Sequence, residues 1–208
     1  IHKDSLRAKD IPESGKTRVI IGRPKPKVLN NHTRGTHLTS TDQMRPISVG
    51  PTIGRLINNM MAIRLGSLLV KHNVLNKAQW AFLPGLTIHG PISDVIECYR
   101  SSLQADINSP HKALFAIYYD ISKAYDNVKW SSIVKAMQDI NLPEDFIEFV
   151  HNSLKGTEVC IKTSIKGRTT EYVKMNQAVR QGDPLAPLLF DIVMNALHQG
   201  YKNWVATN

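Results

Sequence analysis

The chain has 208 residues, 42% of them apolar, and a formal net charge of +9 at neutral pH. This length suits one domain or a domain and a half with a buried core, and the positive charge favours a polyanionic partner such as a nucleic acid. Two widely separated cysteines exclude a zinc module or a disulfide framework, and no apolar run reaches the roughly 18 residues of a membrane helix, so we expect no membrane partner.

The first half of the chain contains a predicted strand, a long basic loop and two predicted helices. The strand is expected from Arg18 to Gly22, and a loop rich in Asn, Thr, His and basic residues follows over 24–42. A helix is expected to begin after Gly50 and Pro51. Its apolar residues recur at helical spacing and predict a core face that contains Ile53, Leu56, Ile57, Met60, Met61, Leu65, Leu68 and Leu69. A second helix is predicted over 91–105.

The second half begins with a predicted strand and continues with helices and a hairpin. The apolar and aromatic run from Ala113 to Tyr119 predicts a fully buried strand. Two short helices are expected over 131–140 and 143–154. A hairpin over 157–175 follows, with its turn at Lys166-Gly167-Arg168. Helices combined with a small sheet predict an α+β domain.

Asp120 follows the predicted buried strand directly, in the segment Tyr119-Asp120-Ile121-Ser122-Lys123-Ala124-Tyr125-Asp126. Burying an unpaired carboxylate is costly, so an Asp in this place is expected to accept hydrogen bonds, pair with a cation or bind a metal ion. The alternative is an ordinary Asp at a strand end or a helix cap.

A second segment with chemical potential reads QGDPLAPLLF over 181–190. Asp183 is a suitable N-cap and Pro184 suits the first helical position, which predicts a helix with an apolar face. That face comprises Leu185, Leu188, Leu189, Ile192, Val193, Ala196 and Leu197. Gly182 allows a phosphate or a base to approach the main chain, and Gln181 offers a neutral donor and acceptor. An ordinary capped helix after a turn is the alternative.

Four segments, in this order along the chain, resemble motifs of reverse transcriptases, most closely those of non-LTR retrotransposons. Residues 44–48 (MRPIS) resemble the family's RPIS element in the fingers, and residues 79–85 (QWAFLPG) resemble its Gln-x-Gly-Phe-x-Pro-Gly element. Residues 119–126 resemble the first palm motif, and residues 180–187 (RQGDPLAP) resemble the second. The resemblance covers roughly residues 18–200. It implies the fingers and first part of the palm of a right-hand polymerase, fingers-like over about 1–110 and palm-like over about 111–208.

The resemblance also implies an activity: RNA-dependent DNA synthesis on an RNA template and a DNA primer, from deoxynucleoside triphosphates with Mg²⁺. Asp120 occupies the position of the family's metal-bridging, catalytic carboxylate, and the carbonyl of Ile121 is an additional candidate ligand. Tyr125 occupies the position of the aromatic residue that excludes a ribose 2′-hydroxyl; a core aromatic is the alternative. Asp126 is expected to brace the following segment rather than to bind metal.

Three further residues are candidates for contact with the nucleotide. Arg45 matches a fingers residue expected near the triphosphate, where a guanidinium can hold phosphate oxygens in a fork; a solvated Arg is the alternative. Gln181 and Gly182 match the template and nucleotide contact of the second palm motif. Lys25 fits either the family's basic Pro-Lys-Pro position or an ordinary surface lysine.

The sequence also departs from the family pattern. Asp183 replaces the small or sulphur-bearing residue that often follows Gln-Gly, and Trp80 with Ala81 interrupts the Gln-x-Gly-Phe pattern. The third palm motif, an aromatic-Ala-Asp-Asp hairpin, does not occur in the 208 residues, so we expect an incomplete polymerase piece that is inactive by itself. Alternatives are a non-catalytic nucleic-acid-binding remnant and an RNA-dependent RNA polymerase. The class of element implies an intracellular protein that acts in the nucleus.

Overall fold

The computed structural model of the chain describes residues 7–25, 43–103, 115–163 and 168–207. Within these ranges it contains a four-stranded sheet and five α-helices. The predicted mixture of helices with one small sheet is therefore present.

The sheet has the strand order β2-β1-β3-β4. The strands are β1 (Arg18–Pro24), β2 (Met44–Val49), β3 (Glu158–Ile161) and β4 (Val173–Lys174). β1 pairs antiparallel with β2 and parallel with β3, and β3 pairs antiparallel with β4. The structure confirms the predicted strand at Arg18 and the predicted hairpin, although Lys166-Gly167 of its turn lies outside the described residues. The sheet combines two strands from before residue 110 with two strands from after it. The division into a fingers-like part and a palm-like part near residue 110 therefore stays a prediction from the resemblance.

The helices lie close to their predicted positions. They are α1 (Thr52–Lys71), α2 (His89–Leu103), α3 (Trp130–Asp139), α4 (Glu144–Leu154) and α5 (Ala186–Thr207). In the described part of the chain, none of them combines the length and the apolar character that a membrane span needs.

The hydrophobic core is built from α1, α3, α4 and α5. Four residues of α1 at helical spacing enter it, namely Ile57, Met61, Leu65 and Leu69, together with Leu188, Leu189 and Ile192 of α5. The predicted apolar faces are wider than the buried ones, since Ile53, Leu56, Leu68 and Leu197 are exposed. Gly54 and Asn58 also lie on the buried face of α1. The helix packs there against the turn at residues 13–15 and against Asp183.

The prediction of a buried strand before Asp120 is wrong for residues 115–119. This segment has no strand pairing, and Phe115, Tyr118 and Tyr119 are each more than 80% exposed. A run with strand composition becomes a strand only when a neighbour pairs with its backbone N–H and C=O groups. Among the described residues no strand lies beside this run, and Ala113 and Leu114 lie outside the described ranges.

Helix α2 also differs from the other helices, because none of its residues is buried. Its predicted apolar face is exposed along the whole length of the helix, at Ile92, Val95, Ile96, Tyr99 and Leu103. The periodicity correctly predicts the helix, but it does not predict a contact for this face.

Candidate active site

A cleft of about 380 Å³ opens beside the exposed end of β2. It is lined by Lys25, Met44, Arg45, Pro46, Lys123, Ala124, Asp126 and Gln181. Residues 44–46, residues 123, 124 and 126, and residue 181 come from three of the four motif segments, so the fold brings those segments to one place. Three lining residues are cations and one is an acid, which suits an anionic ligand such as a phosphate group.

The turn at Gln181 and Gly182 is held against β2 by the backbone. The Ser48 N–H donates a hydrogen bond to the Gln181 carbonyl oxygen at 2.7 Å. Gly182 has φ +96°, and a Cβ on it would lie 2.9 Å from the Ser48 carbonyl oxygen and 3.2 Å from Ile47 Cγ2. Both the conformation and the space therefore require glycine, and the side chain of Gln181 reaches the cleft.

A buried ionic cluster lies directly behind this turn. Arg18 Nη2 donates to Asp183 Oδ2 at 2.7 Å, and both side chains are almost fully buried, 0% and 1% exposed. Asn58 Nδ2 lies 2.8 Å from the same oxygen, and Arg180 Nη2 lies 3.4 Å from it. Asp183 Oδ1 also accepts a hydrogen bond from the Leu185 N–H at 3.1 Å, directly before the helix that begins at Ala186. Asp183 and Pro184, predicted as the cap and the first helical residue, therefore lie two residues before those positions of the observed helix.

Sequence reasoning did not predict Arg18, Asn58 and Arg180 as parts of this cluster. The available signal was Asp183 itself, since an acid in a position that often holds a small residue requires a partner. Burial lowers the pKa of Arg180 to about 10, although the charge of Asp183 acts against this effect.

Asp120 and Ile121 do not line the cleft. Both are exposed and lie in a segment without regular structure. A carboxylate with a neighbouring carbonyl is the type of oxygen donor that Mg²⁺ prefers. In the described ranges, no three His, Cys, Asp or Glu side chains come together as metal ligands.

Tyr125 lies at the boundary between the cleft and the core. Its ring packs edge-on against Phe190, with centroids 5.0 Å apart, and the Val179 N–H donates to its carbonyl oxygen. Burial raises the pKa of its hydroxyl. The neighbouring Ala124 lines the cleft, so the backbone of Tyr125 is close to it while the ring is half-buried. Its role as a sugar gate stays a prediction.

The fourth motif segment, residues 79–85, does not line the cleft and is hydrogen-bonded through Gln79 to α5. Gln79 Nε2 donates to Asp191 Oδ1 at 2.7 Å, and the Asn76 N–H donates to Asn195 Oδ1 at 2.8 Å. Asp191 is 1% exposed, and its Oδ2 has no partner among the described residues. Burial raises the pKa of the Asp191 carboxyl to about 7.

We expect Asp191→Asn to stabilise the protein at pH 8 and to change its stability little at pH 4. The folded protein binds more protons than the unfolded one between the ordinary pKa of Asp and about 7, so wild-type stability falls as pH rises through this range. The gain at pH 8 is on the order of 1–3 kcal/mol. Urea unfolding at both pH values measures it, with exposed Asp94→Asn as the control. An equal change at both pH values would contradict the assignment.

The family model described as "Reverse transcriptase (RNA-dependent DNA polymerase)" matches residues 23–206. This range contains every residue that lines the cleft. The chain belongs to the reverse transcriptase family. The motifs that meet in the cleft are therefore reverse transcriptase motifs, and the resemblance found in the sequence is confirmed.

Curated relatives of this reverse transcriptase chain carry the names of retrotransposable elements. The chain is 32% identical over 159 residues to the "Retrovirus-related Pol polyprotein from type-1 retrotransposable element R2" of Nasonia vitripennis. This match covers 74% of the chain and 14% of the relative. The chain is 30% identical over 158 residues to the corresponding type-2 element R2DM protein of Drosophila melanogaster, covering 74% of this chain and 13% of the relative.

A more distant relative has a name that states an activity. The "Probable RNA-directed DNA polymerase from transposon BS" of Drosophila melanogaster is 22% identical over 165 residues, covering 79% of this chain and 17% of that protein. The reverse transcriptase chain thus spans less than a fifth of the length of these three relatives.

Proposed function

We propose that the chain is part of an RNA-dependent DNA polymerase that copies the RNA of a non-LTR retrotransposon into DNA. The observation that carries this proposal is the cleft in which Arg45, Lys123 and Gln181 come together. These residues come from three separate motif segments of a reverse transcriptase family member. Substrates are a deoxynucleoside triphosphate, a DNA primer and an RNA template.

The basic residues of the cleft are proposed to bind the triphosphate. Arg45 is exposed at the end of β2, and Lys25 and Lys123 line the same cleft. A guanidinium can donate two parallel hydrogen bonds to phosphate oxygens, and the two lysines add positive charge. Gln181 and Gly182 then contact the base pair that forms, because the rigid turn presents the Gln181 side chain to the cleft.

Asp120 is proposed to contribute one carboxylate to a Mg²⁺ site, with the Ile121 carbonyl as an additional oxygen ligand. When bound, the metal ions of such a site stabilise the charge that develops on the attacking and leaving oxygens. Tyr125 is proposed to lie under the sugar of the incoming nucleotide and to favour a deoxyribose. This position needs a displacement of its ring from Phe190 or an approach of the sugar along the exposed part of the ring.

A non-catalytic nucleic-acid-binding role is the second candidate. The net charge of +9 favours it, because a positively charged protein suits a nucleic acid. The two functions separate in one experiment. Polymerase function predicts primer extension with Mg²⁺, whereas the alternative predicts salt-sensitive binding without extension at any Mg²⁺ concentration.

The experiment is primer extension by the longest reading frame of the element that contains this chain, with deoxynucleotides and ribonucleotides in parallel. We expect deoxynucleotide incorporation, and ribonucleotide incorporation alone would contradict the proposal. We also expect Arg45→Gln to raise the KM for deoxynucleotides about tenfold or more, because a hydrogen bond to a charged group contributes about 1.5–3 kcal/mol.

Arg23→Gln is the matched control for Arg45→Gln. Arg23 lies opposite Arg45 in the β1–β2 register and is also exposed, but it does not line the cleft. We expect the KM of the Arg23→Gln variant for deoxynucleotides to stay within about twofold of the wild-type value. An equal rise in KM for the two substitutions would show that the overall positive charge of the sheet binds the nucleotide, and that the position of Arg45 in the cleft does not matter.

A further inference from the structure

We propose that the buried Asp183–Arg18 ion pair is a positioning device that holds the Gln181–Gly182 turn and Arg45 in register across the cleft. This inference rests on the proposed function and deepens it. Asp183 and Arg18 do not line the cleft, and they act through the residues that do.

The ion pair connects three elements that are distant in sequence. Arg18 begins β1, Asn58 lies in α1, and Asp183 directly follows Gly182. Asp183 Oδ2 accepts from Arg18 Nη2 at 2.7 Å and from Asn58 Nδ2 at 2.8 Å. One carboxylate therefore attaches the turn at residues 181–182 to β1 of the sheet and to helix α1.

Each side of the cleft is connected to this pair. On one side, Asp183 is two residues from Gln181, whose carbonyl oxygen accepts from the Ser48 N–H of β2. On the other side, Arg18 anchors β1, and the β1–β2 register continues from Val19 opposite Val49 to Arg23 opposite Arg45. A shift of Asp183 relative to Arg18 therefore changes the distance between Gln181 and Arg45.

The charges show why Asp183 is hard to replace. Two buried guanidinium groups, Arg18 and Arg180, face this one carboxylate. Arg180 has further acceptors in Thr157 Oγ1 and the Ser153 carbonyl oxygen, whereas Arg18 Nε and Nη1 have no partner among the described residues. Loss of the Asp183 charge leaves Arg18 uncompensated in a dry environment, so the turn and the strand separate or admit water.

Stability alone does not account for such a pair. Well-packed apolar residues of similar volume often stabilise a protein as much as a buried ion pair does. What they do not provide is the directional contact that sets one backbone segment against another. The pair therefore has a role that a substitution can separate from stability.

The first test is steady-state kinetics of the full-length protein with Asp183→Asn. Asparagine keeps the shape and the Oδ1 acceptor for the Leu185 N–H and removes the charge. We expect the KM for deoxynucleotides to rise at least about fivefold, while the affinity for primer–template stays within about twofold. Ile147→Ala in the core of α4 is the control, because it lowers the melting temperature without changing that KM.

The double variant Arg18→Met with Asp183→Leu separates position from stability. We expect it to recover part of the melting temperature that Asp183→Asn loses, because Arg18 no longer carries a buried charge while Arg180 keeps only its bonds to Thr157 Oγ1 and the Ser153 carbonyl oxygen. We expect the KM to stay raised. Recovery of both quantities would overturn the proposal, because the pair would then be only a stabilising contact.

Hydrogen exchange gives a readout that needs no polymerase activity. In Asp183→Asn we expect the Ser48 N–H, which donates to Gln181, to exchange at least about tenfold faster, while amides of α3 keep their protection. Unchanged Ser48 protection, or an equal loss over the whole chain, would overturn the proposal. If the wild-type protein does not extend a primer but Ser48 responds, the proposed function fails and the positioning contact stands.

Discussion

Asp120→Ala is expected to reduce primer extension by at least about a thousandfold, since a metal site stabilises the charge of the transition state by several kcal/mol. The substitution is also expected to leave the fold intact. Asp120 is exposed, and in the described part of the chain no hydrogen bond or ion pair involves its carboxylate. The melting temperature should therefore stay within about 1 °C of the wild type.

The measurement for Asp120 is single-turnover extension together with a melting curve of the same preparation. Asp139→Asn is the matched control, because it removes an exposed acid of α3 whose partner is the exposed Lys135. Extension by Asp120→Ala at the wild-type rate would refute the role of this residue in metal binding. Unchanged binding of primer–template by the inactive variant would show that the loss lies in the chemical step.

Gly182→Ala is expected to destabilise the protein by about 2–4 kcal/mol and to impair nucleotide binding. Two costs combine: the backbone conformation with φ +96° disfavours a side chain, and the new Cβ meets the Ser48 carbonyl oxygen at 2.9 Å. Relief of that contact requires the turn to move away from β2. The Gln181 side chain would then leave its place in the cleft.

Gly85→Ala is the matched control for this substitution. Gly85 also has a positive φ, +78°, but a Cβ there meets nothing within 4 Å. We expect it to cost only the conformational part, about 1 kcal/mol, with no change in the KM for nucleotides. Equal destabilisation by the two substitutions, measured by urea unfolding, would mean that the close approach to Ser48 contributes nothing.

Local patterns predict much of the fold of this chain. The spacing of Ile57, Met61, Leu65 and Leu69 predicts α1 and its buried face, and the strand-like runs around Gly167 predict the β3–β4 pairing. Local patterns fail for residues 115–119, because a strand depends on a partner that lies elsewhere in the chain. They also give no contact for the apolar face of α2.

The site is predicted through its motifs more than through its contacts. The resemblance identifies Arg45 and Gln181, and the structure brings both to one cleft. The partners of Asp183 could not be predicted, because Arg18 is 165 residues away from it and Asn58 is 125 residues away. No local pattern marks a pair of that separation, and its detection requires the fold. The role of Asp120 rests on the motif alone.

The parallel pairing of β1 with β3 has a consequence for the order in which this protein forms during synthesis. β1 leaves the ribosome long before Val159, its partner residue opposite Arg18, has been made. At about 5–20 residues per second, the 165 residues from Arg18 to Asp183 take on the order of ten seconds or more to translate. Until Val159 has been made, β1 has no β3 beside it, and until Asp183 has been made, Arg18 lacks this counter-ion, so nascent chains that end before residue 158 expose an unpaired edge of β1.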